Sequence, residues 1–75
     1  MSQDNPIIEL DIVALTEPQP QQGLLLGQTG TVMFVHEGGR AFEVEFILEP
    51  RRAVVATLRP EQLLKLQGLR VAQAG

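Results

Sequence analysis

The sequence predicts a single small all-β domain. Apolar and polar residues alternate along several short segments, turn-forming Gly and Pro residues separate those segments, and this period of two argues against a helix-rich domain. The chain has 75 residues, of which 44% are hydrophobic. A chain of this length buries roughly 60% of its unfolded surface, so we expect one thin core and no deep cleft.

The first predicted strand covers residues 9–15, which begin by alternating. Residues 16–22 follow as a long loop, because Pro18, Pro20 and several glutamines suit neither a helix interior nor a core strand. Three leucines come directly after Gly23. We therefore expect the loop to fold back and place one or two of these leucines on the core.

The second predicted strand follows Gly27 and Gly30 and has its apolar part at residues 32–35. Two glycines three residues apart suit a tight turn with positive φ that leads into a strand. Gly38 and Gly39 then lie between two strand-like segments. This pattern predicts a β-hairpin.

The third predicted strand, residues 41–47, has the clearest alternation in the chain. Phe42, Val44 and Phe46 point one way, and the glutamates at positions 43 and 45 point to water. The third strand is therefore expected to contribute its phenylalanines to the core.

The end of the domain is predicted as a strand, a helical turn and a short closing strand. Residues 53–58 are rich in β-forming side chains, and Pro60 suits the first position of a helical turn. Residues 64–66 then form the closing strand, which Gly68 ends. A helix over residues 60–67 is the alternative, since its leucines would also share a face.

Five short strands, a long first loop and a helical turn before the last strand are typical of an SH3-like barrel. Closing a small sheet on itself hides its edges and needs little core. We place this barrel domain at residues 9–67, between an N-terminal tail (1–8) and a C-terminal tail (68–75).

Two motifs point to a family. Residues 23–32 have the pattern G-L-x-x-G-x-x-G-T-V, and residues 43–46 read E-V-E-F. In these motifs and in their order, the chain resembles a family of short bacterial proteins of unknown function over residues 9 to about 66. The resemblance implies an SH3-like (KOW-like) five-stranded barrel, since the glycine element also occurs in KOW modules, and an accessory or antitoxin-like role. It implies no catalytic residues.

No catalytic, cofactor or metal site is expected. The chain lacks cysteine, and its one histidine, His36, ends the second strand beside Glu37, which points to the opposite face. Zinc needs three or four ligands, which this composition does not bring together. Ser2 is the only serine and lies in the N-terminal tail, so a Ser-His-Asp arrangement is not credible. We expect a non-enzymatic protein without a small-molecule substrate.

The expected location is the cytoplasm, with no membrane contact. The first residues lack the basic and apolar regions of a signal peptide. No apolar run exceeds four residues, far below the ~18 that a membrane-spanning helix needs.

The segment Val32–Val35 breaks the alternation, because both faces of this strand are apolar. One face enters the core, so the other leaves a large side chain exposed, either Phe34 or Met33, unless a bulge shifts the register. A bulge would bury both valines and leave only Phe34 outside.

An exposed apolar patch on a small protein commonly marks an association surface. The predicted function is therefore binding to another protein or to a second copy of the chain. Residues 53–56 are also too apolar for one buried face, and they would extend the patch if their strand lay beside the second. The residues expected to bind are Met33, Phe34 and Val55 at an apolar centre, with His36, Arg51 and Arg52 at a polar rim.

The alternative function is a nucleic-acid-binding accessory module of KOW type that uses Arg51 and Arg52, which share one hairpin tip. Affinity for nucleic acid grows with the number of phosphates that basic side chains neutralise. Six basic residues stand against nine acidic ones, giving a net charge of −3, and the chain has no Tyr or Trp to stack on bases. Nucleic acid is therefore the less favoured partner.

Overall fold

The computed structural model describes residues 6–70, with side chains as far as residue 66. Its elements are all strands and single 3₁₀ turns, so the all-β prediction is confirmed. The strands are β1 (Asp11–Leu15), β2 (Thr29–His36), β3 (Ala41–Leu48), β4 (Arg52–Leu58) and β5 (Leu63–Arg70), and the 3₁₀ turns are Pro20–Gln22 and Pro60–Gln62.

The five strands form one antiparallel sheet in the order β4-β3-β2-β1-β5. Neighbours in this order are neighbours along the chain except for β5, which crosses to pair with β1. Within the described residues the sheet is not closed, because β4 and β5 are its two edges. The predicted strands are thus present, and closure into a barrel stays a prediction.

The core lies on one face of this sheet, which we call the inner face; the opposite face is the outer face. Along β3, buried residues alternate with half-buried or exposed ones, as the sequence predicts. This places the phenylalanines of β3 inside and its glutamates outside. The buried apolar residues are Val13, Leu15, Leu24, Val32, Phe42, Val44, Phe46, Ala56, Leu58 and Leu63.

The long first loop folds back on the sheet. The backbones of Gln19 and Leu24 exchange two hydrogen bonds, of 2.9 and 3.0 Å, around the left-handed Gly23 (φ 75°). This closure buries Leu24 at 1% exposure and leaves Leu25 and Leu26 exposed at 71% and 67%. The expectation that one or two leucines reach the core is confirmed, with Leu24 as the one that does.

Gly27 and Gly30 have different structural roles. Gly27 has φ +85° in the turn before β2, as predicted. Gly30 lies inside β2 without a positive φ, so the predicted turn geometry is wrong for this residue. A Cβ at position 30 would lie 2.8 Å from the Glu45 carbonyl oxygen and 2.8 Å from the Phe46 ring. Because Gly30 has no side chain, β3 and the ring of Phe46 can approach β2 closely.

The hairpin between β2 and β3 is confirmed. The His36 carbonyl accepts hydrogen bonds from the amides of Gly39 (2.9 Å) and Arg40 (3.1 Å). Glu37, Gly38 and Gly39 all have positive φ. Two adjacent glycines carry most of this left-handed backbone at low steric cost.

The 3₁₀ turn before β5 is the predicted helical turn, and the alternative helix over residues 60–67 is wrong. Gln62 ends this turn and is nearly buried. Its side-chain oxygen accepts from the Arg59 amide (2.8 Å), and its side-chain amide donates to Glu17 (3.0 Å). β5 then runs through Gly68 to Arg70, past the predicted end of the closing strand.

An ion pair between a buried carboxylate and a partly exposed lysine joins β1 to β5. Asp11 is fully buried, and its Oδ2 lies 3.3 Å from Lys65 Nζ and accepts a 2.8 Å bond from the Ile8 amide. Lys65 Nζ also donates to the Pro6 carbonyl at 3.1 Å. This pair, which no local sequence pattern indicates, holds the residues before β1 against β5.

Candidate functional site

The outer face carries large apolar side chains that the core does not take. Four of them lie on the central and edge strands β2, β3 and β4, and each is about half exposed or more. We refer to these four side chains together as the outer patch, which consists of two separate groups: Met33 (47% exposed) with Phe34 (50%), and Ile47 (68%) with Val55 (52%).

A β-bulge exposes the two apolar residues of β2. Val32 pairs with Val44 and Phe34 pairs with Glu43, so Met33 is an extra residue in β2. The bulge that the sequence analysis held as an alternative is thus present. It leaves both Met33 and Phe34 outside, whereas the sequence analysis expected it to expose only Phe34.

A polar cluster lies beside Phe34. His36 Nε2 is 2.9 Å from Glu43 Oε2, and Thr57 Oγ1 donates to the same oxygen at 3.3 Å. The rings of Phe34 and His36 meet edge to face, with centroids 4.7 Å apart. His36 therefore has an orienting partner, but it comes from the neighbouring strand.

The partner of His36 is not the residue beside it in the chain, Glu37, which was the only partner weighed from the sequence. A sequence signal for Glu43 existed: the hairpin pairs His36 with Ala41, and Glu43 is two residues further on the same face. Cross-strand register, rather than adjacency along the chain, identifies such pairs.

Val55 lies on the outer face but not beside Phe34. β4 pairs with β3 and not with β2, so the single continuous patch expected from adjacent β2 and β4 strands does not form. Phe34 is level with Glu43, and Val55 is level with Glu45. From strand spacing and rise, the Phe34 and Val55 Cα atoms are about 12 Å apart, with these two carboxylates between them.

Ile47 is the apolar residue that the sequence analysis missed. It pairs with Ala53, and the next outward-facing pair along the two strands is Glu45 with Val55. Ile47 is therefore a diagonal neighbour of Val55. The alternation of β3 indicated that Ile47 is exposed, because the phenylalanines at positions 42 and 46 point inward and residue 47 must then point outward.

The predicted rim residues lie at opposite ends of the sheet. His36 ends β2 beside Phe34, whereas Arg51 and Arg52 lie at the β3–β4 hairpin, where the Arg51 amide donates to the Leu48 carbonyl (2.9 Å). Both arginines are exposed, and neither forms an ion pair with a carboxylate among the residues whose side chains are described. The arginines therefore lie at the Ile47 end of the sheet, away from Phe34, and the register puts Arg52 on the face of Leu48 rather than on the face of Ile47 and Val55.

The third cation near a sheet end, Arg59, is already paired. Its Nε lies 2.6 Å from Glu61 Oε2. The hydrogen bond from Arg59 lowers the pKa of the Glu61 carboxyl, and the same hydrogen bond raises the pKa of Arg59. Both groups are exposed, so this pair is a surface contact.

A groove of about 690 Å³ lies between the Gly38–Gly39 turn and the start of β5. Its walls are mostly apolar, including Val35 and Leu63, and the one cation among its described lining residues is Lys65, which is already bonded to Asp11 and to a backbone carbonyl. The length of the chain did not predict a groove of this volume. Its cation is engaged in holding the fold.

Metal ligands do not gather in the part of the chain that the structure describes: no group of three or more His, Cys, Asp or Glu side chains there is placed to hold an ion. Over the same residues, no helix has the length and apolar character needed to cross a membrane.

Comparison with family models gives one match, to a domain of unknown function (DUF4926), over residues 9–65. The chain belongs to the DUF4926 family. The family description assigns no activity, so it transfers no functional residue to this DUF4926 domain. The expected membership of a family of unknown function is confirmed. Neither the curated proteins nor the solved structures contain a match to the chain.

Proposed function

We propose that this DUF4926 domain is a non-enzymatic module that binds another protein, or a second copy of itself, through the outer patch. The proposal includes an SH3-like barrel, a bacterial cytoplasmic location and an accessory or antitoxin-like role. The five antiparallel strands, the long first loop and the 3₁₀ turn before β5 support the SH3-like part.

The observation that carries the proposal is the bulge in β2. It keeps Met33 and Phe34 outside the core, about half exposed, where regular alternation would bury one of them. His36 packs edge-on against Phe34 and is held by Glu43. An aromatic side chain fixed among polar neighbours is typical of the residues that dominate binding energy at protein interfaces.

Phe34→Ala tests the proposal. Truncating an interface hot spot costs about 2 kcal/mol or more, so we expect association to weaken about 30-fold or more. The fold should stay intact, because Phe34 is half exposed and outside the core cluster. Leu26→Ala is the matched control, since Leu26 is exposed at 67% in the first loop and lies off the sheet.

Association is measured in two ways. Sedimentation over a range of protein concentrations reports self-association, and capture from the native host with tagged wild-type and variant proteins reports a heterologous partner. Binding through the outer patch is supported if wild type and Leu26→Ala retain a protein partner at high salt and Phe34→Ala does not. Nucleic acid retained only at low salt, and lost on Arg51→Ala with Arg52→Ala, supports the KOW-type alternative and contradicts the proposal.

A further inference from the structure

β4 is a long, regular edge strand. It pairs with β3 over seven consecutive residue pairs, from Phe42 with Leu58 to Leu48 with Arg52, and with no other described strand. Its register contains no bulge, unlike the β2–β3 and β1–β5 pairings. Edge strands expose unpaired backbone groups, and a long regular edge is a template for another strand.

One contact shows which backbone groups of β4 face the free edge. The Val55 carbonyl accepts a hydrogen bond from the Gln22 side-chain amide, which belongs to the first loop rather than to β3. Backbone groups of alternate residues point to the same side of a strand. The N–H and C=O groups of Ala53, Val55 and Thr57 therefore face away from β3.

Gln22 covers this edge only weakly. Its hydrogen bond to Val55 is 3.4 Å long, beyond the usual range, and the Gln22 side chain is exposed. An incoming backbone amide would make a shorter bond to the same carbonyl.

The other edge of the sheet is better protected. β5 carries Lys65, which bonds to Asp11 and to the Pro6 carbonyl and so holds the residues before β1 near that strand. Its pairing with β1 is also irregular. Lysine and irregular pairing are common means of preventing edge-to-edge association. β4 shows neither of them along its length.

Charge indicates what β4 accepts. Arg51 and Arg52 lie at the start of the strand without a carboxylate partner among the described side chains, while Arg59, beyond its far end, is paired with Glu61. The edge thus has one cationic end whose arginines are not held in an ion pair with any described side chain. In an antiparallel addition, the carboxyl-terminal part of the incoming strand lies beside the start of β4.

We propose that β4 binds an extended protein segment, which adds to the sheet as an antiparallel sixth strand and places acidic residues near its carboxyl end against Arg51 and Arg52. Backbone hydrogen bonds to residues 53, 55 and 57 supply affinity, and the arginines set direction and sequence preference. The inference rests on the proposed function, because it specifies the class of partner that a protein-binding module of this shape takes.

The test uses the full chain and a synthetic ten-residue peptide with six alternating threonines and valines followed by four glutamates. A control peptide carries glutamines in place of the glutamates. We expect calorimetry to show binding of the acidic peptide at low salt, at least 10-fold tighter than the control. Amide hydrogen exchange at Ala53, Val55 and Thr57 should slow at least 10-fold in the complex. No binding, or binding without protection of these amides, overturns the inference.

A pair of variants separates backbone from side chain. Val55→Pro removes an outward-facing N–H, which an edge strand tolerates, and we expect at least 10-fold weaker peptide binding. Val55→Thr keeps the backbone donor and should bind within threefold of wild type. Equal losses in both variants would overturn the inference. If Val55→Pro fails to fold by circular dichroism, the amide protection in wild type still decides.

Phe34→Ala distinguishes this inference from the proposed function. If Phe34→Ala binds the peptide with wild-type affinity and Val55→Pro binds it more weakly, strand addition is supported, whether or not the outer patch binds a partner. Loss in Phe34→Ala with full binding in Val55→Pro overturns strand addition and leaves the outer patch as the binding surface.

Discussion

Gly30→Ala tests the closest approach inside the sheet. The added methyl group would lie 2.8 Å from the Glu45 carbonyl oxygen and 2.8 Å from two carbons of the Phe46 ring. Ordinary van der Waals contact begins near 3.4 Å, so about half an ångström of overlap must be relieved on each side. Phe46 is fully buried, and the carbonyl belongs to the β2–β3 pairing, so neither has free space to move into.

Overpacking of a tightly packed core costs roughly 1–3 kcal/mol. For Gly30→Ala we expect the unfolding free energy to fall by about 2 kcal/mol, because the backbone and the ring must both shift. For a domain of this size that corresponds to a fall in Tm of about 8–16 °C. Urea unfolding followed by far-ultraviolet circular dichroism measures the change, and the m-value should not alter.

Gly27→Ala is the matched control, because its Cβ would meet nothing within 4 Å and only the positive φ of +85° opposes it. We expect a loss of about 1 kcal/mol from left-handed backbone strain. In a double-mutant cycle, Phe46→Leu should relieve part of the Gly30→Ala cost, because the ring is one of the two obstacles. Wild-type stability for Gly30→Ala, or full additivity with Phe46→Leu, would refute the close approach.

The two remaining stability predictions concern ion pairs. Lys65→Met should lower the unfolding free energy by about 2–3 kcal/mol, because buried Asp11 loses the ammonium group that lies 3.3 Å from its Oδ2, and Lys65→Arg should recover most of it; urea midpoints test this, and a loss below 1 kcal/mol would contradict it. The pKa of Glu61 in the folded protein is held below its ordinary 4.5 by Arg59, so this contact stabilises above that pH and is lost as pH falls through the folded pKa. Urea midpoints from pH 3 to 7 should therefore show a small advantage of wild type over Glu61→Gln that is constant near neutrality and shrinks in acid. If the stability advantage of wild type over Glu61→Gln grew in acid instead, the Arg59–Glu61 contact would not be its source.

Local pattern was enough to place the strands. The alternation of residues 41–47, the glycine pair at 38–39 and the proline at 60 each act over a few residues, and each predicted element is present. The error at β5, which runs to Arg70, has a local cause. Gly68 favours a strand end only weakly, and pairing with β1 overrides that preference.

The candidate site was predicted only in part for the same reason. Phe34 and Met33 could be named because their exposure follows from a single strand with two apolar faces. Ile47 was missed although its alternation indicated it, and the His36–Glu43 pair needed the hairpin register. The expected grouping of Val55 with Phe34 depended on strand order, which no local pattern specifies.

The amino-acid sequence by itself determined an all-β domain, the order of its strands along the chain and the face of β3 that enters the core. These properties depend on backbone preference and side-chain period, which act over neighbouring residues. Only the tertiary structure decided that Gly30 makes room for Phe46, that Asp11 meets Lys65 and that β4 is left as an open edge. Those contacts join residues far apart in the chain, and they exist only once packing has fixed which strands are neighbours and in what register.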